Sequence, residues 1–440
     1  MWHCTRPMSY PNDPTVSPGL EDNLLKRIKI SRFKSIVDQS IEFGKVNLFV
    51  GGNGSGKSNL LEAVGVISSA LYRGVSDADL FTKGVRLSTP AFFKSAFKNR
   101  RLPSTLRIEV DFDNNCSYNF ELMASDFDIQ LRFNTESAEY NGLRVFGRSG
   151  NGATALGKSL TRRPNEYRGM FDQLRSLQEF PEPLIEQFDK IARFAIYAPQ
   201  TEFLRGTQIG SVQTPPIGLH GEGLPQATAS LISRWRHADE KLKSKIDDAF
   251  ELAWATGWAN LFRVGVINPI LFSSQIKTGD QTLYFQDKYL NRKRNTVTAY
   301  DSSEGILFLL FLIIILTHEE SPKIFALDNV DNALNPRMTK FAVSKIINMT
   351  THRSFKKVGL GPDQVFMTSH NPTAMDAFDI FDDRFRIFVV VRDNNGYTKV
   401  NRLKVPDKLS REEWVSLHAG RSLSELWISG EIPGALGAKI

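Results

Sequence analysis

The sequence feature that most constrains the fold is the glycine-rich octapeptide Gly51-Gly52-Asn53-Gly54-Ser55-Gly56-Lys57-Ser58. It follows the apolar run 46–50 and precedes residues 59–71, whose apolar side chains recur at helical spacing. The octapeptide fits the P-loop pattern G-x-x-x-x-G-K-[ST]. In such a loop the backbone N–H groups surround phosphate oxygens, and the next helix directs its N-terminus at the same anion. The sequence therefore predicts a strand, a phosphate-binding loop and a helix.

The chemistry of this loop predicts ATP and Mg²⁺ as cofactors. Lys57 should reach the β- and γ-phosphates, and the Ser58 hydroxyl should ligate Mg²⁺. A second metal ligand is expected at the end of a neighbouring strand, where Asp328 closes the apolar run 324–327. The other predicted nucleotide contacts within or beside the loop are Gly51, Asn53, Gly54, Gly56 and Asn59.

Composition sets further limits. The chain has 440 residues, of which 41% are hydrophobic and 23% charged, so a disordered or collagen-like chain is excluded. Only two cysteines are present, which excludes a Cys-rich zinc site and argues against a disulfide framework. The longest apolar run, residues 306–316, is shorter than the roughly 20 residues of a membrane span. The N-terminus has no apolar signal region. We therefore expect a cytoplasmic protein without membrane segments.

Sequence pattern divides the chain into four parts. Residues 1–23 are polar and proline-containing, which indicates a flexible tail. Residues 24–164 are expected to form an N-terminal lobe with the P-loop and an antiparallel β segment that ends in a mobile loop. Residues 165–295 are expected to form a helical insertion, and residues 296–440 a second α/β lobe. The run 306–316 favours a buried helix, and the absence of sustained heptads argues against a long coiled-coil arm.

Three further motifs resemble those of ABC-type ATPases of the RecF, SMC and OLD kind. The nonapeptide D-N-V-D-N-A-L-N-P, from Asp328 to Pro336, resembles their D-E-P-E-x-x-L-H-P motif. Ser303-Glu304-Gly305 resembles their short signature motif, and Thr368-Ser369-His370-Asn371-Pro372 resembles the H-loop. The resemblance extends over about residues 25–432 and is strongest at the two ends.

This resemblance implies an α/β fold of the ABC-ATPase head type. Such a head has a mixed central sheet flanked by helices, an antiparallel β subdomain and a helical insertion. It also implies that His370 contacts the γ-phosphate and that Ser303 and Gly305 face the γ-phosphate of a partner subunit. The expected active form is therefore a homodimer through the ATP sites, with a higher oligomer left open.

Two positions depart from the family pattern. The family places a catalytic glutamate directly after the Walker B aspartate, but this chain has Asn329. An amide cannot accept a proton near neutral pH, and loss of a general base typically costs about 10²- to 10⁴-fold in rate. Either hydrolysis is slow, with Asn329 only positioning water, or Asp331 serves instead. The Q-loop glutamine is also undecided between Gln130 and Gln200, with the strand-like context 197–200 favouring Gln200 slightly.

Partners are suggested by charge and by the C-terminal sequence. Basic clusters at 98–101, 162–163 and 288–294 are compatible with nucleic-acid contact, although such clusters are usually solvated surface. Binding of a protein effector through the β segment and the 140–165 loop is an equally open alternative to nucleic-acid binding.

The ending of the chain is similar to small members of the family found in bacterial defence operons, of the PtuA and AriA type. This similarity implies an ATP-switched sensor or scaffold that controls a separate effector, with a nuclease favoured because the chain contains no nuclease motif. The alternative is a RecF-like repair or recombination ATPase that binds DNA directly. A transporter subunit is disfavoured because no L-S-G-G-Q motif or membrane-coupling helix is evident.

Overall fold

A computed structural model describes residues 25–98, 100–124, 129–177, 179–208, 210, 215–406 and 409–435. The tail expected over residues 1–23 lies outside these ranges. The strands are β1 Leu25–Phe33, β2 Ile36–Glu42, β3 Val46–Val50, β4 Thr105–Phe112, β5 Cys116–Met123, β6 Arg132–Tyr140, β7 Leu143–Ser149, β8 Gly152–Ala155, β9 Lys158–Ser159, β10 Ile196–Tyr197, β11 Ala259–Val266, β12 Gln281–Asp287, β13 Thr296–Thr298, β14 Ile324–Leu327, β15 Gln364–Ser369, β16 Phe385–Arg392 and β17 Thr398–Leu403. The helices are α1 Lys57–Tyr72, α2 Asp77–Phe81, α3 Pro90–Phe93, α4 Met170–Leu174, α5 Glu182–Ala192, α6 Thr201–Leu204, α7 Leu224–His237, α8 Glu240–Trp254, α9 Glu304–Thr317, α10 Pro336–Thr351, α11 Arg353–Lys356, α12 Arg411–Leu417 and α13 Leu423–Ile428.

A six-stranded sheet in the order β10-β14-β15-β3-β16-β17 forms the centre of the fold. Its first five strands are parallel and β17 is antiparallel. Every residue of β3 and β14 is buried, as the apolar runs predict for parallel strands covered on both faces. The carboxyl ends of β10, β14, β15 and β3 meet at one edge, which is where open α/β sheets bind ligands.

Helix α9 packs against one face of this sheet, in the centre of a hydrophobic core. The apolar run 306–316 lies entirely within it and is buried throughout, so the prediction of a buried helix is confirmed. The surrounding core is formed by α7, α8, α10 and the face of the sheet that carries Leu48 and Met367. Because α9 begins directly after Ser303, its burial fixes the position of the predicted signature motif.

The other face of the central sheet packs against α1 and an eight-stranded antiparallel sheet, in the order β2-β1-β4-β5-β6-β7-β8-β9. The predicted antiparallel β segment is therefore present. Two details differ from the sequence prediction. The strand expected over 129–133 begins at Arg132. Most of the loop expected near 140–165 is instead strand, because turns at Asn141-Gly142 and near Gly152 connect β6, β7 and β8 into a meander.

Residues 165–295 are only partly helical. Helices α4 to α8 account for most of residues 170–254, whereas β11, β12 and β13 form a separate antiparallel sheet with β12 in the middle. Aromatic and β-branched side chains in 281–287 explain the strand there. The longest helices in the described ranges, α1 and α10, have 16 residues each, so these ranges contain no coiled-coil arm. The mixed sheet, flanking helices and β subdomain agree with the predicted ATPase-head fold.

Candidate nucleotide-binding site

The P-loop lies between β3 and α1 and is covered by the β16–β17 hairpin. A Cβ atom on Gly51 would lie 2.2 Å from the carbonyl oxygen of Val390, and one on Gly56 would lie 2.2 Å from Oγ1 of Thr398. Gly56 also has φ of 107°, a region that side chains other than glycine rarely adopt. Glycine is therefore required at both positions for the hairpin to pack on the loop. A Cβ on Gly54 would meet no atom within 4 Å, although its φ is 73°.

Lys57 is buried at the start of α1, and its ammonium group points back into the loop. Nζ donates to the carbonyl oxygens of Gly51, at 2.8 Å, and Gly52, at 3.1 Å. It also lies 3.3 Å from Nδ1 of His370. Burial lowers the pKa of Lys57, while the nearby Asp328 and Asp331 carboxylates oppose that shift. Among the described residues no carboxylate oxygen lies within 4.0 Å of this ammonium, and the phosphates of a bound nucleotide would supply a closer anionic partner.

Ser58 and Asp328 lie together, as a shared metal site requires. Ser58 Oγ donates to Oδ2 of Asp328 at 3.0 Å and lies 3.3 Å from Oδ1. The Thr368 hydroxyl also donates to Asp328, and the Asp328 backbone N–H donates to the Tyr197 carbonyl oxygen at 2.8 Å. A hydroxyl and a carboxylate are hard oxygen ligands, and Mg²⁺ in nucleotide sites is held by one or two such groups together with phosphates. These residues therefore fit a nucleotide-bound Mg²⁺.

Asn329 occupies the position after Asp328 with a left-handed backbone, φ 58°. Its N–H donates to Oγ1 of Thr368 at 2.8 Å, and the residue is exposed. Asparagine tolerates this backbone region better than most residues do. The structure thus puts an amide at the position directly after the predicted metal ligand, where the sequence resemblance implies a glutamate.

Asp331 holds the loop that carries His370. Its carboxylate accepts the backbone N–H of Asn371 at 2.9 Å and that of His370 at 3.3 Å. Burial, followed by the positive charge of Lys57, lowers the pKa of His370. A lowered pKa favours the neutral imidazole, and in the tautomer whose Nδ1 accepts from Lys57 the proton is carried by Nε2. An exposed Nε2–H can donate to a phosphate oxygen.

The predicted signature residues lie at the start of α9. Ser303 is exposed and its Oγ accepts from Nε1 of Trp258 at 3.3 Å. A Cβ on Gly305 would lie 3.2 Å from the carbonyl oxygen of Ala333, in the segment that follows Asp331. Within the described residues, Ser303 and Gly305 make no hydrogen bond to residues 51–58. The structure therefore does not join the signature residues to the P-loop of the same chain.

The remaining predicted contacts differ in position. Asn59 donates through Nδ2 to Oγ of Ser35 at 2.7 Å, so its side chain is tied to the β1–β2 region, while Asn53 is exposed on the loop. Gln200 lies three residues beyond the end of β10, the strand beside β14, and so on the side of the sheet where Asp328 follows β14. Gln130 lies instead just before β6 of the antiparallel sheet. The topology therefore favours Gln200 as the Q-loop residue.

Arg392 is a contact that sequence reasoning missed. Its Nε donates to the Gly54 carbonyl oxygen at 2.9 Å, and its Nη1 donates to the Gly396 carbonyl oxygen at 2.6 Å. The guanidinium thereby fixes the β16–β17 hairpin to the P-loop. A basic residue at a strand end carries no distinctive sequence signal, and only the pairing of β16 with β3 brings the two segments together.

A family profile described as "AAA domain, putative AbiEii toxin, Type IV TA system" matches residues 46–376, more than half of the chain. The chain belongs to this family. It therefore contains a P-loop ATPase domain of a family that uses a nucleotide and typically Mg²⁺, and the matched range includes the P-loop, Asp328 and His370. No curated protein sequence matches the chain. In the described part of the chain, no helix is both long and apolar enough to cross a membrane.

The solved structures similar to this AAA-family chain include three SMC head domains. One is a crystal structure of an SmcHead bound to the C-winged helix domain of ScpA, with 16% identity, a TM-score of 0.49, and coverage of 87% of this chain and 98% of that one. The SMC head domain from Thermotoga maritima has 14% identity, a TM-score of 0.41, and coverage of 87% and 99%. A Smc head domain with an extended coiled coil, bound to the C-terminal domain of ScpA from Pyrococcus furiosus, has 14% identity, a TM-score of 0.49, and coverage of 90% and 98%.

Proposed function

We propose that the protein binds ATP with Mg²⁺ and acts as an ATP-switched homodimer that hydrolyses ATP slowly. The observation that carries this proposal is the arrangement of one sheet edge. Lys57 contacts His370 there and Ser58 contacts Asp328, while the position of the expected base is occupied by Asn329. Binding groups are thus present beside an amide that cannot take a proton.

Slow hydrolysis is further supported by the contacts of Asp331, the alternative base. Its carboxylate already accepts two backbone N–H groups of the His370 loop. These hydrogen bonds hold the carboxylate against the backbone of the His370 loop, and turning it toward an attacking water would break them. We therefore assign Asp331 a positioning role. Without a general base the ATP-bound state persists, which suits a switch whose equilibrium is shifted by ligand binding.

The homodimer is supported by the placement of the signature residues. Ser303 is exposed at the N-terminus of α9, a position suited to contact with phosphate, and it makes no hydrogen bond to the described P-loop of its own chain. A second subunit could present this surface to the bound nucleotide, and two such contacts would close a symmetric dimer.

We further propose that the ATP-bound dimer acts as a sensor or scaffold in bacterial anti-phage defence and controls a separate effector, with a nuclease favoured. The resemblance of the C-terminal sequence to stand-alone defence ATPases supports this role. The family description, which names a toxin of a type IV toxin–antitoxin system, also fits a protein that acts with a partner.

A second candidate is direct DNA binding, as in RecF-like repair. The observation in its favour is the β12–β13 connection, residues 288–294, which carries four basic residues and the 76% exposed Tyr289. Basic and aromatic side chains together suit contact with phosphates and bases. This candidate predicts binding that weakens steeply with increasing salt.

Sedimentation velocity tests the switch directly. The wild-type chain with ATP and Mg²⁺ should sediment as a dimer, whereas Lys57→Ala should remain unchanged by ATP. Ser303→Arg should bind a fluorescent ATP analogue normally but fail to dimerise, because the substituted residue blocks the surface offered to the partner. If ATP changes none of the sedimentation profiles although the analogue binds, the proposed dimer is wrong.

A further inference from the structure

We propose that the outer edge of β11 is a docking site at which an extended acidic segment of a partner protein adds a strand and places an aromatic side chain in the adjacent cavity. The proposal rests on the proposed function in one respect: a separate effector is the partner it would hold. The site itself lies in the β11-β12-β13 sheet, outside the P-loop and its metal ligands.

The direction of the backbone groups in β11 follows from neighbouring hydrogen bonds. The N–H of Ile267 donates to the carbonyl oxygen of Asp280, so residues of odd number at this end of the strand face β12. The N–H of Ala299 donates to the carbonyl oxygen of Leu283, the residue paired with Val264, so Val264 faces away from β12. Among the described residues, the outward N–H and C=O groups of Phe262 and Val264 have no partner. Such an edge is a template for strand addition.

A cavity of about 480 Å³ lies beside this edge. Its walls are formed by α7, α8 and β11, and its large apolar side chains are Trp235, Phe250, Trp254, Leu261 and Phe262. Cavities of a few hundred cubic ångströms lined by aromatic groups are typical binding sites for apolar groups. A bulky aromatic side chain of an added strand would fit this lining.

Charge selects an acidic partner. Arg236 and Arg263 line the cavity, and neither has a carboxylate within 4.0 Å in the described part of the chain. Asp247 is the one acidic residue among the described lining residues. The guanidinium of Arg263 lies 4.5 Å from the ring centroid of Tyr284 on the neighbouring strand β12. A carboxylate beside the aromatic residue of the added strand would pair with these guanidinium groups.

The cavity is connected to the predicted signature residue by a series of ring contacts. The centroids of Phe262 and Phe285 are 6.4 Å apart, and those of Phe285 and Trp258 are 5.7 Å apart. Nε1 of Trp258 then donates to Oγ of Ser303 at 3.3 Å. A partner that moves Phe262 would therefore shift a continuous series of packed side chains that ends at Ser303, the residue before α9.

Selection from a phage-displayed library of random dodecapeptides tests the site and leaves the sequence of the partner open. The full chain is the target, and counter-selection against the Val264→Pro variant removes peptides that bind elsewhere on the protein. Proline at this outward-facing position deletes only an N–H that β12 does not use. The selected peptides should contain an aromatic residue flanked by Asp or Glu. No enrichment over the variant, or enrichment of basic peptides, would refute the proposal.

Fluorescence anisotropy with the best selected peptide then measures affinity. Val264→Pro and the Arg236→Glu/Arg263→Glu double variant should each weaken binding by about tenfold or more, as loss of hydrogen bonds or charge pairs predicts. The control Val264→Ala keeps the N–H and should change affinity by less than about threefold. If wild type and all variants bind the peptide equally, and circular dichroism shows that the variants are folded, the assignment of the docking site is wrong.

Two further controls separate the alternatives. Lys57→Ala should bind the peptide as well as wild type does, so a failure of ATP switching and a failure of the docking site are distinguishable. If the wild-type chain instead self-associates without nucleotide and Val264→Pro abolishes that association, the edge serves a second copy of this chain and the proposed partner is wrong.

Discussion

Replacing Lys83 with methionine should stabilise the protein near neutral pH. Lys83 is 6% exposed; its Nζ donates to the Ala192 carbonyl oxygen and lies 4.3 Å from the ring centroid of Tyr72. Burial lowers its pKa from 10.5 to about 8, with Asp79 opposing the shift. Each pKa unit corresponds to about 1.4 kcal/mol, so carrying this charge costs the folded state about 3 kcal/mol at pH 7. Methionine fills similar space without a charge.

The sign of the pH dependence follows from linkage. Between pH 8 and 10.5 the unfolded lysine binds more protons than the folded one, so its contribution to the free energy of unfolding rises with pH. The penalty is complete below the folded pKa and disappears above the unfolded pKa. The advantage of Lys83→Met over wild type should therefore shrink from about 2–3 kcal/mol at pH 7 to under about 1 kcal/mol at pH 10.

Urea denaturation of both proteins at pH 7, 8.5 and 10 measures this difference. The lost hydrogen bond to Ala192 is partly replaced, since Oγ of Ser68 also donates to that carbonyl oxygen at 3.2 Å. A constant difference between the two proteins across this pH range would refute the assignment of the penalty to the buried charge. A methionine variant less stable than wild type at pH 7 would show that the contacts of the ammonium outweigh its desolvation.

Three predictions concern the P-loop and its neighbours. Arg392→Ala should weaken ATP binding by about fivefold, since the hydrogen bond to the Gly54 carbonyl oxygen is worth about 1 kcal/mol. Calorimetry showing unchanged affinity would contradict this. Gly56→Ala should abolish ATP binding because its Cβ would lie 2.2 Å from a side-chain oxygen of β17. The Cβ of Gly54→Ala would meet no atom within 4 Å, so this variant should lose less ATP affinity. Equal ATP affinities of the two variants in the same calorimetric assay would count against this packing argument. Asp331→Asn should lower the pKa of the His370 imidazole further, because it removes a negative charge that raises this pKa; an unchanged NMR titration would refute that coupling.

The parts of the site that the sequence predicted are those with a local pattern. The P-loop, the aspartate at the end of an apolar strand and the T-S-H-N-P segment each follow or end a buried strand, and parallel strands bring their carboxyl ends to one edge. Sequence alone therefore predicted that Lys57, Ser58, Asp328 and His370 would meet. The buried helix α9 was predictable for a similar reason, since every face of its apolar run must be covered.

The parts that sequence reasoning missed depend on long-range packing. Arg392 reaches the P-loop only because β16 pairs with β3. Residues 259–266 pair with residues 281–287, but their sequence pattern does not distinguish a strand there from the end of a helix. The hydrogen bonds from the His370 loop to Asp331 span about forty residues. They could not be read from the nonapeptide itself, and the positioning role proposed for Asp331 rests on them.

The most direct test of the central claim is the steady-state rate of ATP hydrolysis, with Lys57→Ala as the blank. Wild type should bind ATP yet hydrolyse it at a rate close to the blank. Asn329→Glu should raise the rate by about 10² or more, as a restored general base predicts. Asn329→Gln is the matched control, since glutamine has the same length as glutamate and the same backbone strain at this position but cannot act as a base. A wild-type rate well above the blank, lost in Asp331→Ala and kept in Asn329→Ala, would contradict the account and make Asp331 the base.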